Sequence, residues 1–283
     1  MQQRKPSLNV GNMARSRGSR WLIALVIAVF ALITYFSSSD VNEITGETQH
    51  INISEEQEIT LGLQAAPEMI AEFGGLDPST EAQAYVDDVG NQLVRQSAAA
   101  NTPYQFEFHL LADTQTINAF ALPGGQIFIT AALYDQLGTE GQLAGVLAHE
   151  IGHVIARHGA EHIAKAQLTE GLTGAAVVAA YDPENPNSQY AIQMAQVVGQ
   201  LVTLKYGRED ELESDQLGVR FMAEAGYNPT ALIGVMEILA QAGAGNEPPE
   251  FFSTHPNPGN RITQIEELIA DYFPDGVPDN LIK

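Results

Sequence analysis

Near the middle of the chain, His149-Glu150-Ile151-Gly152-His153 has the residue types and the spacing for metal chemistry. A helix turns about 100° per residue, so side chains four apart stand within about 40° of each other and both imidazoles reach one ion. Imidazole nitrogen with carboxylate oxygen is a mixture that zinc accepts, and a hydrolytic zinc site takes three protein ligands and leaves one position open. Glu150 is placed to accept a proton from water activated at such an ion without ligating it. The competing reading is a chance run of the same residues on a surface helix, with no ion.

A third ligand has to come from elsewhere. On a continuous helix His158 lies about 140° around from His153, so neither it nor His162 joins the pair unless the helix breaks. The extended HExxHxxGxxH spacing is also absent, because positions 156 and 159 are Ala and Gly. His158 is therefore expected at a helix C-terminus, satisfied by the dipole and local carbonyls. Glu211, with Asp215 one turn later on the same face, is the better candidate: Glu211 to ligate, Asp215 to take the imidazole proton of His149. Taken alone, the two read more readily as part of a solvated acidic face, since so many Glu and Asp lie nearby.

Several elements must position these groups. Thr139-Glu140-Gly141-Gln142 is a capping-box sequence that opens the histidine helix, with Leu143, Val146 and Leu147 on its buried side. Upstream, Ser54 caps a helix running to Phe73, and Asp77-Pro78 precede a second helix to about Gln96 that is expected to pack on the histidine helix. Strand character follows from Tyr104 to Leu111, from Ile117 to Phe120 and from Gln126 to Thr130, the last two flanking the turn Pro123-Gly124-Gly125. After Ala131 the pattern is helical, with amphipathic stretches at 189–205, 209–225, 230–240 and 260–273 and loops at 181–187 and 243–254. The class is α+β, mostly helical, with a small antiparallel sheet.

The formal charge of -22 is unevenly spread: five of the 13 basic residues and none of the 35 acidic ones precede Asp40. The remainder carries 8 basic against 35 acidic residues, a net of -27, which repels nucleic acid. With no cysteine there is no disulfide, thiol nucleophile, thiolate ligand or lipid-modified cysteine anchor. Residues 1–20 read as a disordered basic tail. The uncharged run Trp21–Phe36 reads as a membrane anchor, slightly under the roughly 20 residues of a usual span. The positive-inside rule places 1–20 in the cytoplasm and the chain after Asp40 across the membrane. The alternative is a cleaved signal peptide, with Ser37-Ser38-Ser39 as a weak site.

The combination of His149-Glu150-x-x-His153, Glu211-x-x-x-Asp215, Asn118-Ala119-Phe120-Ala121-Leu122-Pro123-Gly124-Gly125, Ile127–Thr130 and Thr254-His255-Pro256 with Arg261 resembles the M48 family of zinc metallopeptidases. Ser214 stands where the family usually has Ala. The resemblance covers roughly 54–272 and implies a gluzincin-type metallopeptidase domain with the small sheet beside the HExxH helix. It implies one zinc on His149, His153 and Glu211, Glu150 as catalytic base, and Asp215 supporting a ligand. It implies a peptide-binding strand at Asn118, Ala119, Phe120, Ala121 and Leu122, where the pattern alone fits an ordinary hairpin equally well. It places His255 in a loop facing the metal, as oxyanion support or as an occluding group, and Arg261 as support for that loop or the oxyanion; from sequence alone His255 is as readily a turn residue. The expected organisation is a tail at 1–20, an anchor at 21–37, a linker at 38–53 and the peptidase domain at 54–283. Polypeptide substrates at the outer side of a bacterial inner membrane are implied, with the secreted periplasmic form as the alternative and a non-proteolytic chaperone or scaffold as the rival function. The sequence leaves the oligomeric state open.

Overall fold

The computed structural model describes residues 17–180, 206–243, 249–256 and 259–283. Most of the basic tail, the loop expected at 181–187, the helix expected at 189–205 and part of the 243–254 loop lie outside the described residues. The described residues divide into two compact units: 17–40, 48–52 and 162–180 belong to one, and 41–47, 53–161, 206–243, 249–256 and 259–283 to the other.

In the first unit, α1 (Arg17–Ser37) contains a 20-residue stretch of mean hydropathy 2.0 from Gly18 to Ser37. Among the described residues it is the one helix long and apolar enough to cross a membrane. Trp21, Leu22, Phe30 and Phe36 are exposed along it. An apolar surface of that extent is costly in water and matches a hydrocarbon environment. The short strands β1 (Ser39–Val41) and β2 (Thr48–His50) follow.

The second unit is mostly helical around a small sheet. In α2 (Glu55–Glu72) Ser54 and Gln57 complete a reciprocal capping box, satisfying two backbone donors at the helix start. α3 (Thr80–Gln96) begins two residues later than the Asp77-Pro78 signal implied, because Ser79 is the cap and Asp77 accepts from the Ser79 amide instead. Its Val86, Val89 and Leu93 are buried, and the helix packs against the histidine helix as expected.

The sheet holds β3 (Glu107–Leu111), β4 (Ala119–Leu122) and β5 (Gln126–Thr130) in the order β3-β5-β4. The expected antiparallel pairing is the β4–β5 hairpin, and β3 adds to the other side of β5 in parallel, which makes the sheet mixed. β5 is the central strand and all five of its residues are buried. β4 starts two residues later than the alternation suggested, because Asn118 pairs through its backbone with Thr130 just outside the ladder. α2 lies on the hairpin turn so closely that a Cβ at Gly62 would meet the Pro123 carbonyl oxygen at 2.1 Å.

The short α4 (Ala131–Tyr134) leads to α5 (Glu140–Ile155), the helix of the two histidines. Thr139 caps it by accepting from the Gln142 amide, while the Gln142 side chain turns back to the Gly138 amide, one residue before the cap. The expected buried side is in fact the whole circumference: Gly141 and every residue from Leu143 to Ile155 are buried, as befits a helix apolar all round. Around it stand α3, β4, α7 (Arg208–Glu224) and α8 (Thr230–Ala242). Beyond α5, α6 (His158–Ala180) continues the chain, and α9 (Phe251–Thr254) and α10 (Arg261–Tyr272) complete the second unit.

Candidate metal centre

α5 and α7 cross where both lack bulk. A Cβ at Gly152 would lie 3.0 Å from the Ser214 carbonyl oxygen and 3.2 Å from its Cα. This close approach brings the acidic start of α7 onto the histidines. Asp210, Glu211, Ser214 and Asp215 are buried there, so the solvated acidic face that composition suggested does not form on this side of the helix.

One ligand atom each from His149, His153, Glu211 and His255 lies within 4.8 Å of all the others. The Nε2 atoms of His149 and His153 are 3.1 Å apart. Glu211 Oε1 is 3.4 Å from His153 Nε2, and its Oε2 is 3.6 Å from His149 Nε2. His255 Nδ1 is 3.0 Å from Glu211 Oε1. The short α9 sets His255 by its backbone amide, 2.7 Å from the Phe251 carbonyl oxygen, and its ring stacks on Phe251. The Tyr206 ring stacks on His153 at 4.1 Å between centroids, a contact with no signal in the sequence.

His149 Nδ1 stands 2.9 Å from Asp215 Oδ1, so an ionised Asp215 fixes the proton on Nδ1 and leaves the Nε2 lone pair facing the cluster. Arg261 grips Asp215 with two bonds, Nε to Oδ2 at 2.6 Å and Nη2 to Oδ1 at 2.7 Å. Its Nη1 lies 2.9 Å from Glu211 Oε2. Arg261 is therefore 1 % exposed and paired with carboxylates of α7. It holds Asp215 and Glu211 directly.

The electrostatics follow from depth. Burial pushes the Glu150 carboxyl up, against the pull of His255 and His149. Burial pushes His153 well below the usual imidazole range. For Asp215 burial acts upward, but the Arg261 guanidinium outweighs it and holds the carboxyl down. Burial opposes charge on His255 as well, yet Glu150 and Glu211 beside it raise it.

The arrangement suits a cation. Lone pairs of two imidazoles and a carboxylate converge at 3.1 to 3.6 Å, close to the roughly 3.3 Å edge of a tetrahedron with zinc-length bonds. Both oxygens of Glu150 are buried without a hydrogen-bond partner, an expensive state for a carboxylate. The buried cluster is thus suitable for metal coordination.

The sequence reading missed His158. The helix does break, at Arg157, whose φ of 57° places it in the left-handed region and turns the chain back. His158 Nδ1 thereby comes within 2.8 Å of His153 Nδ1, and its Nε2 within 3.0 Å of Glu213 Oε2. His158 accordingly starts a helix instead of ending one, and its partners are side chains where carbonyls were expected. Glu213 is the anchor of that histidine. A left-handed non-glycine residue costs on the order of 1 kcal/mol, and the Arg157 side chain holds it there, with Nε 2.7 Å from Glu58 Oε1 and Nη2 3.0 Å from the Ile53 carbonyl.

A helix carrying two histidines, crossed by a helix carrying a buried glutamate, with a capping carboxylate behind one imidazole, defines a metallopeptidase-like centre. The model of peptidase family M48 matches residues 80–269, and the chain belongs to that family. It is 32% identical over 189 residues to the beta-barrel assembly-enhancing protease of Escherichia coli, a match that covers 63% of this chain and 37% of that one. The putative beta-barrel assembly-enhancing protease of Vibrio cholerae is 34% identical over 197 residues, 67% of this chain and 40% of its own. The mitochondrial metalloendopeptidase OMA1 of Schizosaccharomyces pombe is 28% identical over 263 residues, covering 91% of this chain and 74% of its own. The chain spans about two fifths of the length of the two bacterial relatives. Family and cluster together support a metalloprotease-like enzyme with one membrane-spanning helix at its N-terminal end.

Proposed function

We propose that the chain is a membrane-anchored zinc endopeptidase of gluzincin type, acting on unfolded or misassembled envelope proteins at the outer side of the inner membrane. His149, His153 and Glu211 would hold the ion. The observation that carries this reading is the convergence of their lone pairs beside a buried Glu150 with no hydrogen-bond partner. Bound there, zinc supplies a Lewis acid for the scissile carbonyl and a water that is nucleophilic at neutral pH.

Glu150 accepts the proton of the attacking water and returns it to the leaving amine; a carboxylate raised by burial is suited to both halves of that exchange. Asp215 and Arg261 keep His149 in the tautomer that presents Nε2. β4, an edge strand of the sheet, packs beside α5, and an extended peptide could add to its outer edge by main-chain hydrogen bonds. Asn118 to Leu122 would in that case line the substrate, which favours a peptide over a small amide. The assembly-related names of the bacterial relatives support envelope proteins as the substrate class.

His255 favours a second reading of the same site as a resting form. It is fully buried and stands among the ligand atoms, so it would fill the position a substrate needs and would have to leave before cleavage. Once displaced, the same imidazole is placed to support developing negative charge. The test of the main reading is Glu150→Gln assayed on an unfolded protein with zinc content measured in parallel. Cleavage is expected to fall about a hundred- to ten-thousandfold with zinc retained; full cleavage by a zinc-loaded variant would overturn the mechanism.

A further inference from the structure

The geometry points to His158 and Glu213 as the positioning pair for His153, a two-step relay that performs for the second histidine what Asp215 does directly for the first. This rests on the reading of His153 as a zinc ligand.

The argument is one of tautomers. His153 Nε2 faces the cluster, 3.1 Å from His149 Nε2 and 3.4 Å from Glu211 Oε1, so a ligating lone pair there requires the ring proton on Nδ1. That proton needs an acceptor, and the group facing Nδ1 is His158 Nδ1 at 2.8 Å. An imidazole accepting at Nδ1 carries its own proton on Nε2, which faces Glu213 Oε2 at 3.0 Å. A carboxylate only accepts, so Glu213 sets the tautomer of His158 and through it the tautomer of His153. Reversing either ring would place a proton on His153 Nε2, where the ion has to bind. His158 is 1 % exposed, whereas the Glu213 side chain is 19 % exposed, so the relay runs from the buried ligand to the rim of α7.

The substitutions separate this role from packing. Asn places its side-chain oxygen close to where imidazole Nδ1 sits, and so keeps an acceptor for His153; Leu fills space and accepts nothing. In the full chain in detergent, zinc affinity measured by chelator competition is expected to fall about 10- to 100-fold in His158→Leu. In His158→Asn it is expected to stay within about threefold of wild type. The cobalt-substituted form should show a displaced visible band in the Leu variant and a wild-type band in the Asn variant. Glu213 is partly exposed, so Glu213→Ala serves should His158→Leu fail to fold. Its affinity should fall about tenfold in the wild-type background and not at all in the His158→Asn background, where the relay is already cut.

Wild-type zinc affinity in folded His158→Leu would overturn the relay while leaving the zinc reading standing. So would equal losses in the Leu and Asn variants, or a Glu213→Ala loss that is undiminished in the His158→Asn background. A wild-type chain that binds no zinc would overturn both the relay and the zinc reading.

Discussion

Helix α5 is apolar around His149, Glu150 and His153 and is buried from Leu143 to Ile155. Helix α7 opens on Arg208-Glu209-Asp210-Glu211, yet it carries Asp210, Glu211, Ser214 and Asp215 into the same interior. The two helices reach equal depth from opposite compositions. α5 does so by the hydrophobic effect, since its apolar side chains lose nothing by leaving water. α7 can do so only because partners wait for its carboxylates: His149 and Arg261 for Asp215, His153, His255 and Arg261 for Glu211. Burying an acidic helix face is a cooperative act, and it fails if one partner is withdrawn.

The largest expected effect withdraws the partner of α7. Arg261→Met keeps the volume but leaves Asp215 and Glu211 as buried carboxylates without their cation. In metal-free protein, unfolding stability measured with denaturant is expected to drop by about 3 to 5 kcal/mol. A loss under about 1 kcal/mol, the scale of an exposed pair, would mean that α7 is held by packing alone and that the contrast with α5 is superficial.

At the C-terminal end of α5, Arg157→Met should cost about 2 to 3 kcal/mol at pH 8 by leaving Glu58 without its cation, with the Tyr104 hydroxyl still donating to it. Burial already pushes the Glu58 carboxyl up to about 7 in the presence of Arg157. A carboxyl raised in the folded state favours the protonated form there, so the variant gains stability at low pH and loses it as pH rises through that range. Thermal melts of variant and wild type should accordingly converge near pH 5 and separate towards pH 8. A pH-independent gap would show that Glu58 stays charged throughout.

The smallest effect tests the crossing itself. Gly152→Ala pushes a methyl to 3.0 Å from the α7 backbone, so α7 must give way by a few tenths of an ångström. A loss of about 1 to 2 kcal/mol is expected, with a measurable fall in zinc affinity because Glu211 moves with its helix. Lost stability with unchanged affinity would separate the crossing from the centre.

The same contrast explains what was legible in the sequence. His149, Glu150 and His153 could be read because a helical period and an apolar helix are local properties. Glu211 could be picked out only by its offset to Asp215 and by the family pattern, since by composition it matches Glu209 and Glu213. His158 was unreadable for a sharper reason: its position depends on one backbone dihedral, at Arg157, held by a clamp to Glu58, 99 residues away in the chain. The sheet divides in the same way. Alternation located the strands to within three residues, but the insertion of β5 between β3 and β4, and the parallel pairing that follows, depend on tertiary packing.

The pairing of Arg261 with two carboxylates also fixes an electrical balance. Glu150, Glu211 and Asp215 are fully buried, and Arg261 is the permanent cation buried with them. With all three carboxylates ionised and the imidazoles neutral, two negative charges are left over, which is the valence of one divalent ion. In so deep a site an uncompensated charge is far costlier than at a surface, so a cluster of this balance suits an ion by its valence before its element. When a chelator removes the ion, protons must take its place. Calorimetric titration in buffers of different ionisation enthalpy should register close to two protons taken up for each ion released.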